Sequence, residues 1–488
     1  MNRHFKTGLM AIAIAVGLGA CSESYPGMYY DYGNSIGNNE AGDSSSRVPV
    51  YVYVNRQSFF SVSSMRGVGP FDPLSDKDAD GNPRELTPED TLRYQKAVFH
   101  IYAFRDGKYV STGSSYPAEL ASDPNMTWTI WENSSGQYDP NRMNCLLDGK
   151  DYSMGLPTQL DEKTGLYPSD KTTYYYGPYQ DVGYNFFAYH IDDALTNTDL
   201  SSKPHRDRDS VWYELEIDGT QDIMCGYAPK LTEEVLNERY SELNITESER
   251  NRVLNIGNYS TYAAHRNIDP YVNVHHALSR LDFRAYPGRE SANEVTIDSI
   301  YVTCPNSGKL IVAHRDPERV GFYVDPTKED KLYLHEKPQI VRSEDGTEVL
   351  DILPCELIEA GKYEVEWKKE YEGTTVTQRE YVEVGGNIIL PSQQEYIISI
   401  VASQKRKEGQ DPDMKMPTVV STYRVSAPVR EENKDADGNY WFMPGRYYTI
   451  NVVIYGLQEI KVIANIDGWQ YGGSIDVDPD DAENEHIY

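Results

Sequence analysis

Asp76, Asp78 and Asp80 alternate and are followed by Gly81. This is the front half of a calcium loop, where every second carboxylate faces inward and the glycine makes the sharp turn. The twelfth position is Thr87 rather than a bidentate glutamate, with Glu85 and Glu89 flanking it. The hexapeptide Lys-Asp-Ala-Asp-Gly-Asn recurs at 77–82 and 434–439, and the second copy meets Pro444 at its twelfth position. Both copies are read first as Asp-Gly turns between strands, with calcium as the alternative. No other cofactor is expected. His275 and His276 are adjacent; on a strand they point to opposite faces, so one core and one surface histidine is the reading, not a metal pair. Trp128, Trp131 and the run Tyr174-Tyr175-Tyr176 with Tyr179 offer rings on which a sugar could stack. The plainer reading of such rings is strand packing. No HExxH, P-loop or Gly-x-Ser-x-Gly pattern occurs, and carboxylates are too many to single out a catalytic pair, so no enzyme activity is expected.

Five cysteines occur. Cys21 closes the run Leu18-Gly19-Ala20-Cys21, after Arg3, Lys6 and an apolar stretch from Gly8 to Gly19. That stretch is too short to span a bilayer as a helix. A basic start, an apolar run and a small-residue cut site before cysteine make the lipobox of a bacterial lipoprotein. Residues 1–20 are then a signal peptide and Cys21 carries lipid, which holds the chain on an outer membrane or cell surface without a spanning helix. The other four, Cys145, Cys225, Cys304 and Cys355, allow three pairings. Cys145–Cys225 with Cys304–Cys355 is the simplest, and buried free thiols are the alternative.

The 488 residues carry 46 Lys+Arg against 76 Asp+Glu, a formal charge of −30. Cleavage before Cys21 removes Arg3 and Lys6 and no acid, leaving −32. Such a chain repels phosphates, which excludes nucleic acid as the default partner. Tyrosine is abundant, 40 against 11 Phe and 6 Trp, as suits strands and wet surfaces.

Residues 21–47 read as a flexible tether, rich in Gly, Asn, Ser and Asp without apolar period. Strand patterns follow at 49–54, 97–104, 184–189, 211–217 and 272–284, with one helix at 231–240 capped by Thr232. After a hinge at 287–293 come short strands with almost no helical period, closing in a hairpin over 447–466. The pattern argues an all-β chain, sandwich or barrel. The expected division is a domain over 48–286, a second over 287–478 and an acidic tail over 479–488.

Three segments carry a resemblance. The strand Val274-His275-His276-Ala277-Leu278-Ser279-Arg280-Leu281-Asp282-Phe283 resembles the His-Ala-Leu strand of the fimbrillin-like proteins of Bacteroidetes. Asp222-Ile223-Met224 looks like the Asp-led segment those proteins carry before it. The close, Pro444-Gly445-Arg446-Tyr447 and onward, with Trp469 and Gly472-Gly473, is similar to their terminal hairpin and tail. The resemblance implies two tandem transthyretin-like β-sandwich domains and a subunit of type V pili, exported as a lipoprotein, whose partners are other pilus subunits and a host or bacterial surface ligand. It also implies trimming after an arginine, matched here by Arg47-Val48. Trimming would free a groove by removing the first strand, and a neighbour's terminal strand would fill it. The candidate donor strand is the terminal hairpin, with Tyr447, Ile450, Val452, Ile454, Ile460 and Val462. Long loops at 106–183 and 403–416 point to a tip or accessory subunit. The other reading is a surface lipoprotein that binds glycan through exposed aromatics and does not polymerise. Asp90-Thr91-Leu92, Asp209-Ser210-Val211 and Asp298-Ser299-Ile300 resemble O-glycosylation sites of the same bacteria.

Overall fold

A computed structural model describes residues 48–54, 98–105 and most of 154–467, where the longer omissions are 192–203, 343–347 and 368–380. The chain is mostly β-strand in several sheets, with three short α-helices among the described residues. No helix among them is long and apolar enough to cross a membrane.

The first sheet has seven strands. They are β1 (Tyr53–Val54), β2 (Val98–Arg105), β3 (Leu156–Asp161), β4 (Gly165–Pro168), β5 (Tyr184–Ile191), β8 (Ile223–Tyr227) and β9 (Tyr271–His276). The order runs β1-β9-β8-β5-β2-β3-β4. The segment holding β1 also bridges to β4 at Leu166, so the seven strands form a ring. Between β5 and β8 in sequence come β6 (His205–Arg206) and β7 (Ser210–Glu216). β2 feeds both of its faces into cores. Phe99, Ile101 and Ala103 point into the ring, while Tyr102 and Phe104 face a second layer. A strand buried on both faces has no solvent side, which is why its sequence is a nearly continuous apolar run, broken only by the buried His100 before Arg105.

Three helices between β8 and β9 pack into the ring: α1 (Glu233–Arg239), α2 (Glu247–Ile256) and α3 (Thr261–Ala264). α1 is capped by Thr232, as its sequence predicts. α2 and α3 go beyond the single expected helix. α2 starts at a capping box, with the Thr246 hydroxyl accepting from Glu249 N and the Glu249 carboxylate accepting from Thr246 N, and ends at Gly257 in the left-handed conformation.

The remaining strands are β10 (Ser279–Pro287), β11 (Val295–Pro305), β12 (Ser307–His314), β13 (Gly321–Val324), β14 (Glu329–Tyr333), β15 (Gln339–Arg342), β16 (Glu348–Asp351), β17 (Tyr363–Glu364), β18 (Val382–Leu390), β19 (Glu395–Gln404), β20 (Thr418–Ser426), β21 (Tyr447–Gly456) and β22 (Glu459–Asp467). The sheet β18-β10-β21-β22 faces the sheet β14-β11-β19-β20. Between them lies a core that includes Leu281, Phe283, Ile300, Val302, Ile398, Ile450 and Val452. A further sheet, β13-β12-β7-β6, lies on the outside of β2, β5 and β8.

The stretch expected as one strand over 272–284 is two strands in two sheets. β9 ends at His276, the buried pair Ala277-Leu278 turns the chain, and β10 runs between β18 and β21. Strand pairing also crosses the expected division at 286/287, because β7 pairs antiparallel with β12. The expected hinge at 287–293 is a short 3-10 helix, Glu290–Glu294, joining β10 to β11.

Candidate strand-exchange site

The segment from Val48 to Val54 runs between two partners. On one side Tyr176 N donates to Val48 O (2.9 Å), Val50 N to Tyr174 O (2.8 Å), and Leu166 N to Val52 O (2.8 Å). On the other side Tyr53 N donates to Pro270 O at 2.8 Å. Tyr53 and Val54 lie parallel to Tyr271 and Val272. The alternation of the strand places Val48, Val50, Val52 and Val54 against the core inside the ring, with Val52 2% and Val54 6% exposed. Fully burying a valine contributes about 1.5–3 kcal/mol. These backbone hydrogen bonds, the parallel pairing with β9 and four inward valines therefore hold this segment.

Without it, β9 and β4 would each present an unpaired rim beside an apolar slot. Such a slot accepts any strand that supplies main-chain hydrogen bonds and alternate apolar side chains. The slot is deep. Leu166, Tyr176 and Val272 are buried in its walls. Burial pushes the Tyr176 phenol well above its ordinary range, with the nearby Asp269 carboxyl adding to the effect. Asp269 itself precedes Pro270, the acceptor for Tyr53, and burial pushes its carboxyl up to about 7.

Tyr174 and Tyr176 thus pair with the first strand and Tyr176 fills the core, whereas Tyr175, opposite Pro49, is 41% exposed. Tyr179, Trp128 and Trp131 lie outside the described residues. So do Cys21, Arg47, Asp76, Asp78, Asp80, Asp90-Thr91-Leu92, Cys145, Cys355 and the tail over 479–488.

The terminal hairpin forms as the sequence predicts. β21 and β22 pair antiparallel from Tyr447↔Asp467 to Gly456↔Glu459. β21 also lies parallel to β10. Ile450, Val452, Ile454, Ile460 and Val462 are buried in the hairpin's own sandwich, and Tyr447 is half-buried, 5.5 Å from the Arg280 guanidinium. β22 is the outer strand of its sheet, and the Tyr423 hydroxyl donates to its Ile460 carbonyl at 2.6 Å.

Cys225 and Cys304 are both buried, and neither is bridged to another described residue; their expected partners Cys145 and Cys355 lie outside the described residues. Each sits on a central strand in a different core, Cys225 among the outer layer of the ring and Cys304 between the sheets of the second sandwich. Burial pushes both thiols up to about 12.

The second hexapeptide is a turn. Asp435 Oδ1 accepts from Asp437 N (3.0 Å) and Asn439 N (2.8 Å), and Oδ2 accepts from Trp441 Nε1 at 2.6 Å. Gly438 takes the left-handed conformation the turn requires. His276 is buried and His275 exposed, on opposite faces of β9. The His276 ring meets Asp222 Oδ1 at 2.8 Å, a pairing not read from the sequence. No group of three or more His, Cys, Asp or Glu among the described residues is placed to hold a metal ion. Ser210 is buried at the start of β7, bonded to Asp207.

No family model matches the chain, and no curated protein does. Solved structures similar to it include a proposed cell adhesion protein from Bacteroides uniformis, at 8% identity and a TM-score of 0.36, covering 87% of this chain and 99% of that one. The fimbrial anchor protein Mfa2 from Porphyromonas gingivalis is 11% identical with a TM-score of 0.26, covering 85% and 97%. The tip fimbrial protein Mfa3 from the same organism, with C-terminal truncation, is 10% identical with a TM-score of 0.29, covering 86% and 100%.

Proposed function

We propose that the chain is a non-enzymatic structural subunit of a cell-surface fimbrium, built of two transthyretin-like β-sandwich units and exported as a lipoprotein on Cys21. It assembles by exchanging the strand over 48–54 for a strand of a neighbouring subunit. The observation that carries this reading is the seating of that segment: a short strand near the start of the described chain, with four inward valines, closes the ring. Arg47 immediately precedes it in the sequence.

The position of the cut matters. Cleavage at Arg47-Val48 removes the lipid-bearing residues 21–47 but leaves the strand in its slot as the new N-terminus. This differs from the expected removal of the strand, which needs a cut beyond Val54. In this account the cut releases one end, and the incoming strand displaces the old one. A neighbour's terminal hairpin has the alternation to do so, with Ile460, Val462, Ala464 and Ile466 at every second position. Such head-to-tail contacts do not close and build a fibre.

The test is a removable lock. Val52→Cys with Leu166→Cys, opposite each other across the bridge, ties the strand into its slot when oxidised. The ladder of bands on an unheated gel should vanish in the oxidised form and return on reduction. A ladder that persists with the lock closed contradicts strand exchange at this slot.

A further inference from the structure

β20 is the outer strand of the sheet β14-β11-β19-β20, and no strand lies on its other side among the described residues. The ends of its ladder with β19 show which way each residue turns. Gln404 N donates to Pro417 O at 2.9 Å, and Ala427 N to Gln394 O at 2.8 Å. Bonded pairs alternate along an antiparallel ladder, so the odd positions of β20 turn their N–H and C=O groups to β19 and the even ones turn theirs outward. Thr418, Val420, Thr422, Arg424 and Ser426 therefore line an open rim, and all five side chains are exposed.

Outer strands are kept from pairing with another chain by shortness, charge, proline or a bulge. The other outer strands of these sandwiches follow that rule. β6 has two residues, and β13, β15 and β16 have four each. β14 carries Glu329, Asp330 and Lys331, and β22 carries Glu459, Lys461 and Asp467. β18 meets β10 through a register shift. β20 has none of these devices. It is nine residues long, lacks proline, and pairs with β19 without a shift. Its single charge, Arg424, is engaged by Glu395 at 3.0 Å. Val420 near its middle is 54% exposed.

We infer that this rim seats a second copy of the chain: two β20 strands pair antiparallel about a two-fold axis at Thr422, and the sheet continues across both molecules as one. The rim is complementary to itself in that register. Outward-turned positions face outward-turned positions, with Thr422 opposite its own counterpart, Val420 opposite Arg424 and Thr418 opposite Ser426. Such pairing exchanges about ten backbone hydrogen bonds. Each Arg424 stem covers the exposed Val420 of the other copy. The two guanidiniums stand four residues apart along the strands, about 14 Å, which is beyond the Debye length at physiological salt. Centring on Arg424 would set them face to face, which like charges disfavour. A two-fold contact closes on itself, so it joins molecules in pairs and does not extend a row. It uses neither the slot under residues 48–54 nor the terminal hairpin, and it stands whether or not strands exchange.

The test is sedimentation velocity with hydrogen exchange on the full chain at physiological ionic strength. The background carries Cys21→Ser, which removes clustering through lipid, and the oxidised Val52→Cys, Leu166→Cys lock, which holds the first strand in place. It should form dimers as concentration rises. Amides of Val420, Thr422 and Arg424 should exchange about tenfold more slowly or better in the dimer, while those of Val419, Ser421 and Tyr423 are protected at every concentration. Thr422→Glu sets two carboxylates opposite each other and should weaken dimerisation about tenfold or more. Val420→Glu sets its carboxylate opposite Arg424 and should keep or strengthen the dimer. A background that stays monomeric overturns the inference. So do a dimer whose outward β20 amides exchange as in the monomer, and equal effects of the two glutamates in variants that fold normally by circular dichroism.

Discussion

His276 Nδ1 and Asp222 Oδ1 meet at 2.8 Å with side chains 4% and 0% exposed. The pair sits where β9 hands over to β10, and Ala277 N donates to Ile223 O beside it. The Asp-led segment and the His-Ala-Leu strand, far apart in sequence, therefore meet as one buried contact. Removing one partner of a buried hydrogen-bonded pair leaves the other unsatisfied, at a cost of about 1–3 kcal/mol. His276→Ala and Asp222→Ala should each lower stability by that order in urea unfolding, and the double variant should cost less than the sum of the singles. Additive losses would mean the two side chains act independently.

Val52 is buried inside the ring and its carbonyl accepts from Leu166. Val52→Asp puts a charge into that core and should unseat the strand. Hydrogen exchange should speed at Val50, Tyr53, Leu166 and Tyr176 amides by at least a hundredfold, while amides of β21 and β11 keep their protection. Unchanged protection at those four amides would mean the strand is not held as described.

Asp269 titrates high because burial penalises its charged form. The folded ring then holds the proton more tightly than the unfolded chain. The resulting stability is fully present below the unfolded carboxyl's ordinary pKa of about 4 and is lost as pH rises through about 7. Asp269→Asn should flatten that part of the pH profile of thermal unfolding. A profile identical in the variant would assign the dependence to other groups.

Cys225 and Cys304 should resist alkylation in the folded protein up to about pH 10, since thiolate is the reactive form and both thiols titrate near 12. Both should react fully in denaturant. Mass spectrometry after iodoacetamide checks this, and rapid labelling of either residue in the native state would contradict its burial.

Much of the architecture is legible in the sequence for local reasons. The nearly continuous apolar run over 97–104 marks a strand buried on both faces, and the hairpin over 447–466 is announced by alternation around Gly456. The helix at Thr232 is announced by its cap. α2 carried an equal signal in Thr246, Glu249 and Gly257, which the surrounding polar residues masked. The break between β9 and β10 is written as a change of phase: inward positions are even at 272, 274 and 276, then odd at 279, 281, 283 and 285. That change is easily taken for one long strand, because both halves alternate.

The non-local relations were not legible. Nothing in the local pattern makes β10 parallel to β21, pairs β7 with β12, or brings residues 48–54 beside 174–176. These depend on which rims remain unpaired after the rest of the chain has folded. For the same reason Arg47 could be matched as a cut site just before the strand pattern at 49–54, yet the slot that seats this strand emerged only from the pairing. Nor do even numbers and compartment say which core a cysteine enters: Cys225 and Cys304 lie in two different cores.

The central claim is that trimming frees the first strand for exchange. Intact mass and N-terminal sequencing of the mature protein from the outer-membrane fraction, beside an unheated gel, test it most directly. The account predicts a start at Val48 without lipid and a ladder of bands. A single lipidated species beginning at Cys21, with one band at every concentration, would contradict it.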